Sequence, residues 1–152
     1  MRSKTSWKEK MDKHSKPEVI KGPEEWNLRY GGEKMTIPTP RQIESIINSI
    51  SKGKIMLVSQ LKEQLCELNN ADYACPLTTG IFLRIVSEYA MELQSQGAKK
   101  IPPYWRIVKD DLSPNEKLSG GADFQMNQLK SEGFQFELTG TRAKKWKLKL
   151  NK

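Results

Sequence analysis

The sequence predicts a mainly α fold with a small β component, arranged as a winged helix-turn-helix. Three observations lead there. Between Thr39 and Gly97, apolar residues recur at helical spacing in three successive stretches. The second and third stretches are separated only by residues 71–74 and the start of the next helix, as in a helix-turn-helix. After Gly133 the apolar period drops to two. Phe134, Phe136 and Leu138 alternate with polar residues, then Trp146, Leu148 and Leu150 do the same, as two strands joined around Gly140.

Composition bounds the partners. The chain has 152 residues, 36% hydrophobic and 29% charged, enough for one domain plus an arm. No apolar run reaches membrane-spanning length, and Met1-Arg2-Ser3-Lys4 leads into no apolar signal core. Cys66 and Cys75 make no disulfide framework, so a reducing cytoplasm is the expected setting. His14 is the only histidine and no Cys-x-x-Cys occurs, so no metal site or cofactor is expected. The net charge of +8 favours a polyanionic partner. Nucleic acid comes before membrane, because no basic amphipathic anchor is evident.

In chain order, residues 1–35 read as a basic, loosely ordered arm, broken by Pro17, Gly22, Pro23 and Gly31-Gly32, with Trp7 and Met11 on one face of a short helix and packing through Trp26 and Tyr30. Residues 36–152 form the domain. Thr39, Pro40 and Gln42 give an N-cap, a proline at N1 and a capping box. Ile43, Ile46, Ile47 and Ile50 then make one buried stripe, ended by Ser51-Lys52-Gly53. Ser59 caps the next helix, with Leu61, Leu65 and Leu68 inward and Asn69-Asn70 as its stop. Pro76 opens a longer helix. Its small residues Thr78, Thr79 and Gly80 come first, and Ile81, Phe82, Ile85, Val86, Tyr89 and Leu93 line its inner face up to Gly97. A polar loop, 109–118, leads to a helix over about 122–131 carrying Phe124, Met126 and Leu129. Lys145, Lys147 and Lys149 share one face of the last strand.

Two places carry chemistry. In Pro102-Pro103-Tyr104-Trp105-Arg106 the prolines fix φ and deny backbone donors, while flat side chains and a cation follow. This is either a small binding site or a buried turn with ordinary core aromatics. Cys75 precedes Pro76 at a helix N-terminus, where the dipole lowers a thiol pKa. It is either a nucleophile or a small buried hydrophobe. Cys66, on the preceding helix, is structural.

Several short words stand in a definite order: Gly53-Lys54, Cys75-Pro-Leu-Thr-Thr-Gly-Ile-Phe-Leu-Arg84, Pro103-Tyr-Trp-Arg106, Asn115-Glu-Lys117, Ser119-Gly-Gly121 and Glu132-Gly133. From about Thr36 to Leu138 the set resembles the methylated-DNA–protein-cysteine methyltransferases, and within them the non-catalytic alkyltransferase-like branch. The family's Pro-Cys-His-Arg is here Pro103-Tyr104-Trp105-Arg106, so both the acceptor cysteine and its histidine are replaced. The resemblance implies a winged-helix fold like those proteins' DNA-binding domain. It also implies a protein that recognises O6-alkylguanine lesions in double-stranded DNA for repair without transferring the alkyl group. It would act as a monomer with a repair-protein partner and no membrane. Pro103, Tyr104, Trp105, Arg106, Ser119, Gly120 and Glu132 would line the lesion pocket, Glu132 alternatively binding Trp105 or backbone donors. Thr78, Thr79, Gly80, Arg84, Lys145, Lys147 and Lys149 would face DNA. The family's stack-entering Arg and nucleotide-rotating Tyr align with Gly80 and Val58, a departure from the flipping machinery. Two other functions stay open: an enzyme using Cys75 as nucleophile, and a winged-helix module that binds protein.

Overall fold

Three helices set the frame, and each buries most of the stripe its sequence carries. The structure is a computed structural model describing residues 6–142 and 144–150; residues 1–5, Ala143 and 151–152 of the expected arm and domain lie outside the described residues. In order, α1 is Trp7–Lys13, β1 Glu18–Lys21, α2 Glu24–Tyr30, β2 Lys34–Ile37, α3 Pro40–Asn48, β3 Met56–Leu57 and α4 Val58–Asn69. Then come β4 Tyr73–Ala74, α5 Pro76–Ser95, a single 3₁₀ turn Tyr104–Arg106, β5 Ile107–Val108, α6 Gly121–Ser131, β6 Gln135–Thr139 and β7 Lys145–Lys149. The fold is mainly α with small β.

The central core joins Ile43, Ile46 and Ile47 of α3, Leu61 and Leu65 of α4, and Phe82, Leu83 and Val86 of α5. Ile107, Val108 and Leu129 close it from the other side. Full burial of each such side chain contributes on the order of 1.5–3 kcal/mol before entropy is counted. The α3 capping box forms as expected: Gln42 N–H donates to Thr39 Oγ1 at 3.1 Å and Thr39 N–H to Gln42 Oε1 at 3.2 Å.

Three small sheets pin the connections. β2 lies between β1, antiparallel, and β4, parallel. β3 pairs parallel with β5, so the start of α4 is stitched to the strand after the Pro-Pro segment. β6 and β7 form an antiparallel hairpin with Phe136 opposite Leu148 and Leu138 opposite Trp146.

Several expectations are corrected. Residues 6–35 are not a loose arm, because α1 is built into the core. Met11 is wholly buried there. Glu92 of α5 accepts the free N–H groups of Trp7 and Lys8 at 3.0 and 3.2 Å. Trp26 packs on Met35, Tyr73 and Cys75, and Tyr30 stacks on Tyr73 at 5.1 Å. The 71–74 turn contains a strand, since β2 offers an edge to Tyr73 and Ala74. Ser59 is not the cap of α4. The helix starts at Val58, where Gln60 Oε1 accepts Leu57 N–H and Asp110 Oδ1 accepts Ser59 N–H. Leu68, Ile81, Trp146 and Leu150 are exposed, each lying past the edge of its buried stripe.

Candidate nucleic-acid interface

The corner after Pro102-Pro103 is closed by its own side chains. Tyr104 has no exposed surface. Its hydroxyl donates to the Ser119 carbonyl at 2.7 Å, its ring stacks on Phe124 at 6.2 Å, and Trp105 meets it edge-on at 5.5 Å. Burial, then the Glu88 charge, push its phenol well above the ordinary tyrosine range. The Ser119-Gly120-Gly121 turn delivers that carbonyl. Ser119 N–H donates to Ser87 Oγ of α5 at 3.0 Å. Gly120 and Gly121 hold φ of 86° and 71°, and a Cβ at Gly120 would stand 2.7 Å from Phe124 Cβ.

Trp105 and Arg106 converge on one carboxylate. Trp105 Nε1–H donates to Glu132 Oε2 at 2.8 Å, and Arg106 Nε and Nη2 each donate to Glu132 at 2.9 Å. Gly53 N–H adds a contact to Oε1 at 3.3 Å, and Arg106 Nη1 donates to the Ile50 carbonyl at 2.6 Å. The pair is largely covered, with side chains 13% and 6% exposed. Burial raises the Glu132 carboxyl, but Arg106, Trp105 and Gly53 outweigh it and hold it below its ordinary value. Gln125, buried in α6, donates to the Trp105 and Ile107 carbonyls at 3.0 and 2.7 Å and accepts Asn115 N–H at 2.6 Å.

This arrangement holds no nucleophile and no opening at Tyr104. The expected pocket lined by Pro103, Tyr104, Trp105, Arg106, Ser119, Gly120 and Glu132 is a filled corner, because the phenol ring occupies the space and its hydroxyl is satisfied internally. A groove of about 560 Å³ opens beside the segment. Pro102, Pro103, Trp105 and Arg106 line it with Lys99 and Lys100, and Tyr104 does not. Cys75 sits at the N-cap of α5, buried with Met35 and Tyr73, its N–H bound to the Thr36 carbonyl at 2.9 Å. The structure brings it together with an apolar cluster. Among the described residues, no group of three or more His, Cys, Asp or Glu side chains is placed to hold a metal ion, and no helix is long and apolar enough to cross a membrane.

The first half of α5 is uncovered on one side. Leu77, Gly80, Ile81 and Arg84 are exposed, while Phe82, Leu83 and Val86 fix the opposite side in the core. Space around Gly80 is open. Thr79 is a correction to the expected DNA-facing set. It is wholly buried because it lies one turn before Leu83 on the core face, and Thr78 is half-covered. Val58 is half-buried at the first residue of α4. On β7 the three lysines share a face with Gln135, Glu137 and Thr139 of β6. Lys145 is engaged by Asp111 at 2.7 Å, and Lys147 stands opposite Glu137. Asp111 is held below the usual carboxylate range first by Lys145 and then by Ser113.

Gln125 and Ser87 escaped notice in the sequence. The only sign of either was a polar residue beside the apolar positions of its helix.

No family model matches the chain, and no curated protein matches it. Among solved structures, it is similar to S. pombe Atl1 in complex with damaged DNA containing O6-carboxymethylguanine. The match covers 72% of this chain and 87% of that one, at 14% identity and a TM-score of 0.47.

Proposed function

We propose that the chain is a non-catalytic protein that binds double-stranded DNA through the uncovered first half of α5 and the lysine face of β7. The observation that carries this is the bare, small-residue side of α5, with Gly80 open and Arg84 exposed and, among the described residues, in no ion pair, in a chain of net charge +8. A helix fixed by its back with its first turns exposed is the form in which helix-turn-helix proteins present a helix to a groove. Lysines at alternate strand positions supply phosphate contacts, which position a protein without reading sequence.

The resemblance to the alkyltransferase-like branch agrees with an absence of transfer chemistry. Alkyl transfer needs a thiolate and a base beside the flipped nucleotide. At those two positions stand Tyr104, neutral and hydrogen-bonded, and Trp105, tied to Glu132. With Tyr104 wholly buried and its hydroxyl satisfied by the Ser119 carbonyl, affinity is expected not to depend on O6-alkylation.

Titration of plain and O6-alkylguanine duplexes tests this, with protein mass followed in the same samples. Affinities within about twofold of each other are expected, well under 1 kcal/mol. Log K should fall with log salt by roughly 0.9 per phosphate neutralised, and no adduct should form. Strong preference for the alkylated duplex would restore the lesion-reading function and require Tyr104 to leave its socket. Methylation of Cys75 would make the chain an enzyme. Failure to bind at low salt would favour a protein-interaction module.

A further inference from the structure

We propose that the tip of the β6–β7 hairpin is an apolar wedge that contacts base faces of duplex DNA, with Trp146 and Leu138 as its touching residues. The wedge rests on the duplex-binding function proposed above and adds a second, uncharged contact to it.

The hairpin has two unlike faces. Gln135, Glu137 and Thr139 pair with Lys149, Lys147 and Lys145 on one; Phe136 pairs with Leu148 and Leu138 with Trp146 on the other. The apolar face is graded along its length. At the root Leu148 is 2% exposed and Phe136 packs on the core, whereas at the tip Leu138 and Trp146 are 47% and 46% exposed. The support is fixed at both ends. Near the root Leu148 N–H donates to the Leu112 carbonyl at 2.8 Å, and at the turn end, beside Trp146, Lys145 reaches Asp111 at 2.7 Å. A half-exposed cross-strand Leu–Trp pair is therefore held on a fixed support. Such a pair contributes to sheet stability through its mutual contact alone and does not require this exposure.

Charge selects the occupant. Residues 135–150 hold Arg142, Lys144, Lys145, Lys147 and Lys149 against Glu137 alone, five cations minus one anion, a local +4. A second copy of the chain docking by a two-fold contact would set this patch against itself, and the like charges oppose that. A polyanion that also offers flat apolar surface fits both features. Base pairs bounded by phosphates are such a surface, and apolar side chains inserted at base steps are an established way for proteins to engage duplex DNA. Tryptophan stacks on any base.

The test uses the full chain and a duplex without lesions. Trp146→Ala should weaken binding about tenfold with the salt slope unchanged, since the lost contact is uncharged. Lys147→Gln should lower the slope by roughly 0.9. Trp146→Phe should bind nearly as the parent does but lose most of the DNA-induced tryptophan quenching, which also covers the case of an unstable alanine variant. If Trp146→Ala binds normally and quenching persists in Trp146→Phe, the wedge is wrong while duplex binding stands. If the parent chain binds no duplex at low salt, both fall. Capture by anionic phospholipid vesicles in place of DNA would also overturn the wedge and assign the hairpin to a membrane surface.

Discussion

At the scale of single residues, Glu132 holds the corner together. It satisfies the Trp105 indole, the Arg106 guanidinium and Gly53 N–H at once. Glu132→Ala leaves a largely covered guanidinium with only the Ile50 carbonyl; breaking a fully buried pair costs about 3–5 kcal/mol, and urea unfolding should show a loss up to that size. Arg106→Lys should also destabilise, because an ammonium cannot reproduce the fork across two carboxylate oxygens and the Ile50 carbonyl. The acid dependence follows from the direction of the Glu132 shift. Its carboxyl lies below 4.5 in the folded chain and at that ordinary value when unfolded. Above 4.5 the contribution is complete. As pH falls, the unfolded chain takes up the proton first, and stability declines until the folded carboxyl is protonated too. Urea midpoints should fall through this window in the parent chain and fall less in Glu132→Gln. Tyr104 works at the opposite end of the scale. Its folded phenol is raised above the ordinary 10.0, so stability should fall as pH climbs past that value. Tyr104→Phe should flatten that alkaline decline while losing about 1 kcal/mol at neutral pH for the missing bond to the Ser119 carbonyl.

At the scale of elements, adjacent glycines separate two kinds of constraint. Gly120 and Gly121 both hold left-handed φ, but only Gly120 faces Phe124. Gly121→Ala should cost about 1–2 kcal/mol for backbone conformation alone, and Gly120→Ala more, with the Phe124 stack on Tyr104 displaced. Thermal melts of the two variants check the order. Gly80 is the contrasting case, a helical glycine with open space around it. Gly80→Ala should stabilise by up to about 1 kcal/mol, and Gly80→Arg should add a cation to the bare side of α5 and steepen the salt dependence of duplex binding. What could be read in advance follows the range of the interactions. The α3 capping box was legible because Thr39 and Gln42 are neighbours. The α4 start was not, because Asp110, 51 residues further on, accepts Ser59 N–H. Glu132 was expected to line a pocket or else to bind Trp105 or backbone donors, and it accepts both the Trp105 indole and the Gly53 N–H. Site and buried turn were both open for Tyr104, since a tyrosine after two prolines suits either; the socket of Phe124 and Ser119 decides. Strand alternation put Trp146 inward with Leu148; it shares that face but stays about half exposed where Leu148 is buried.

At the scale of the whole molecule, the N-terminal region is part of the fold, and α1 locks to it at three points. Met11 enters the core beside α3 and α5, Arg41 holds Asp12 at 2.8 Å, and Glu92 covers the helix's free N–H groups. Composition alone pointed to a loose arm because this stretch is polar and basic. One fully buried methionine and one remote carboxylate are enough to fasten it; the Trp7–Met11 spacing showed a short helix, but two apolar residues did not show that it docks. The contributions differ in kind. Arg41–Asp12 is solvent-exposed and screened, worth little alone. Met11→Ala removes buried surface and leaves a cavity, a loss of about 2–5 kcal/mol. Glu92→Gln keeps an acceptor but removes the charge that favours a helix N-terminus, a loss of at most about 1 kcal/mol. If α1 belongs to one cooperative unit, Met11→Ala should lower the midpoint seen by far-UV dichroism and by core tryptophan emission equally. Hydrogen exchange on α3 and α5 should then rise together with that on α1. An unchanged midpoint, with protection lost in α1 alone, would mean that the helix docks on a core already complete without it.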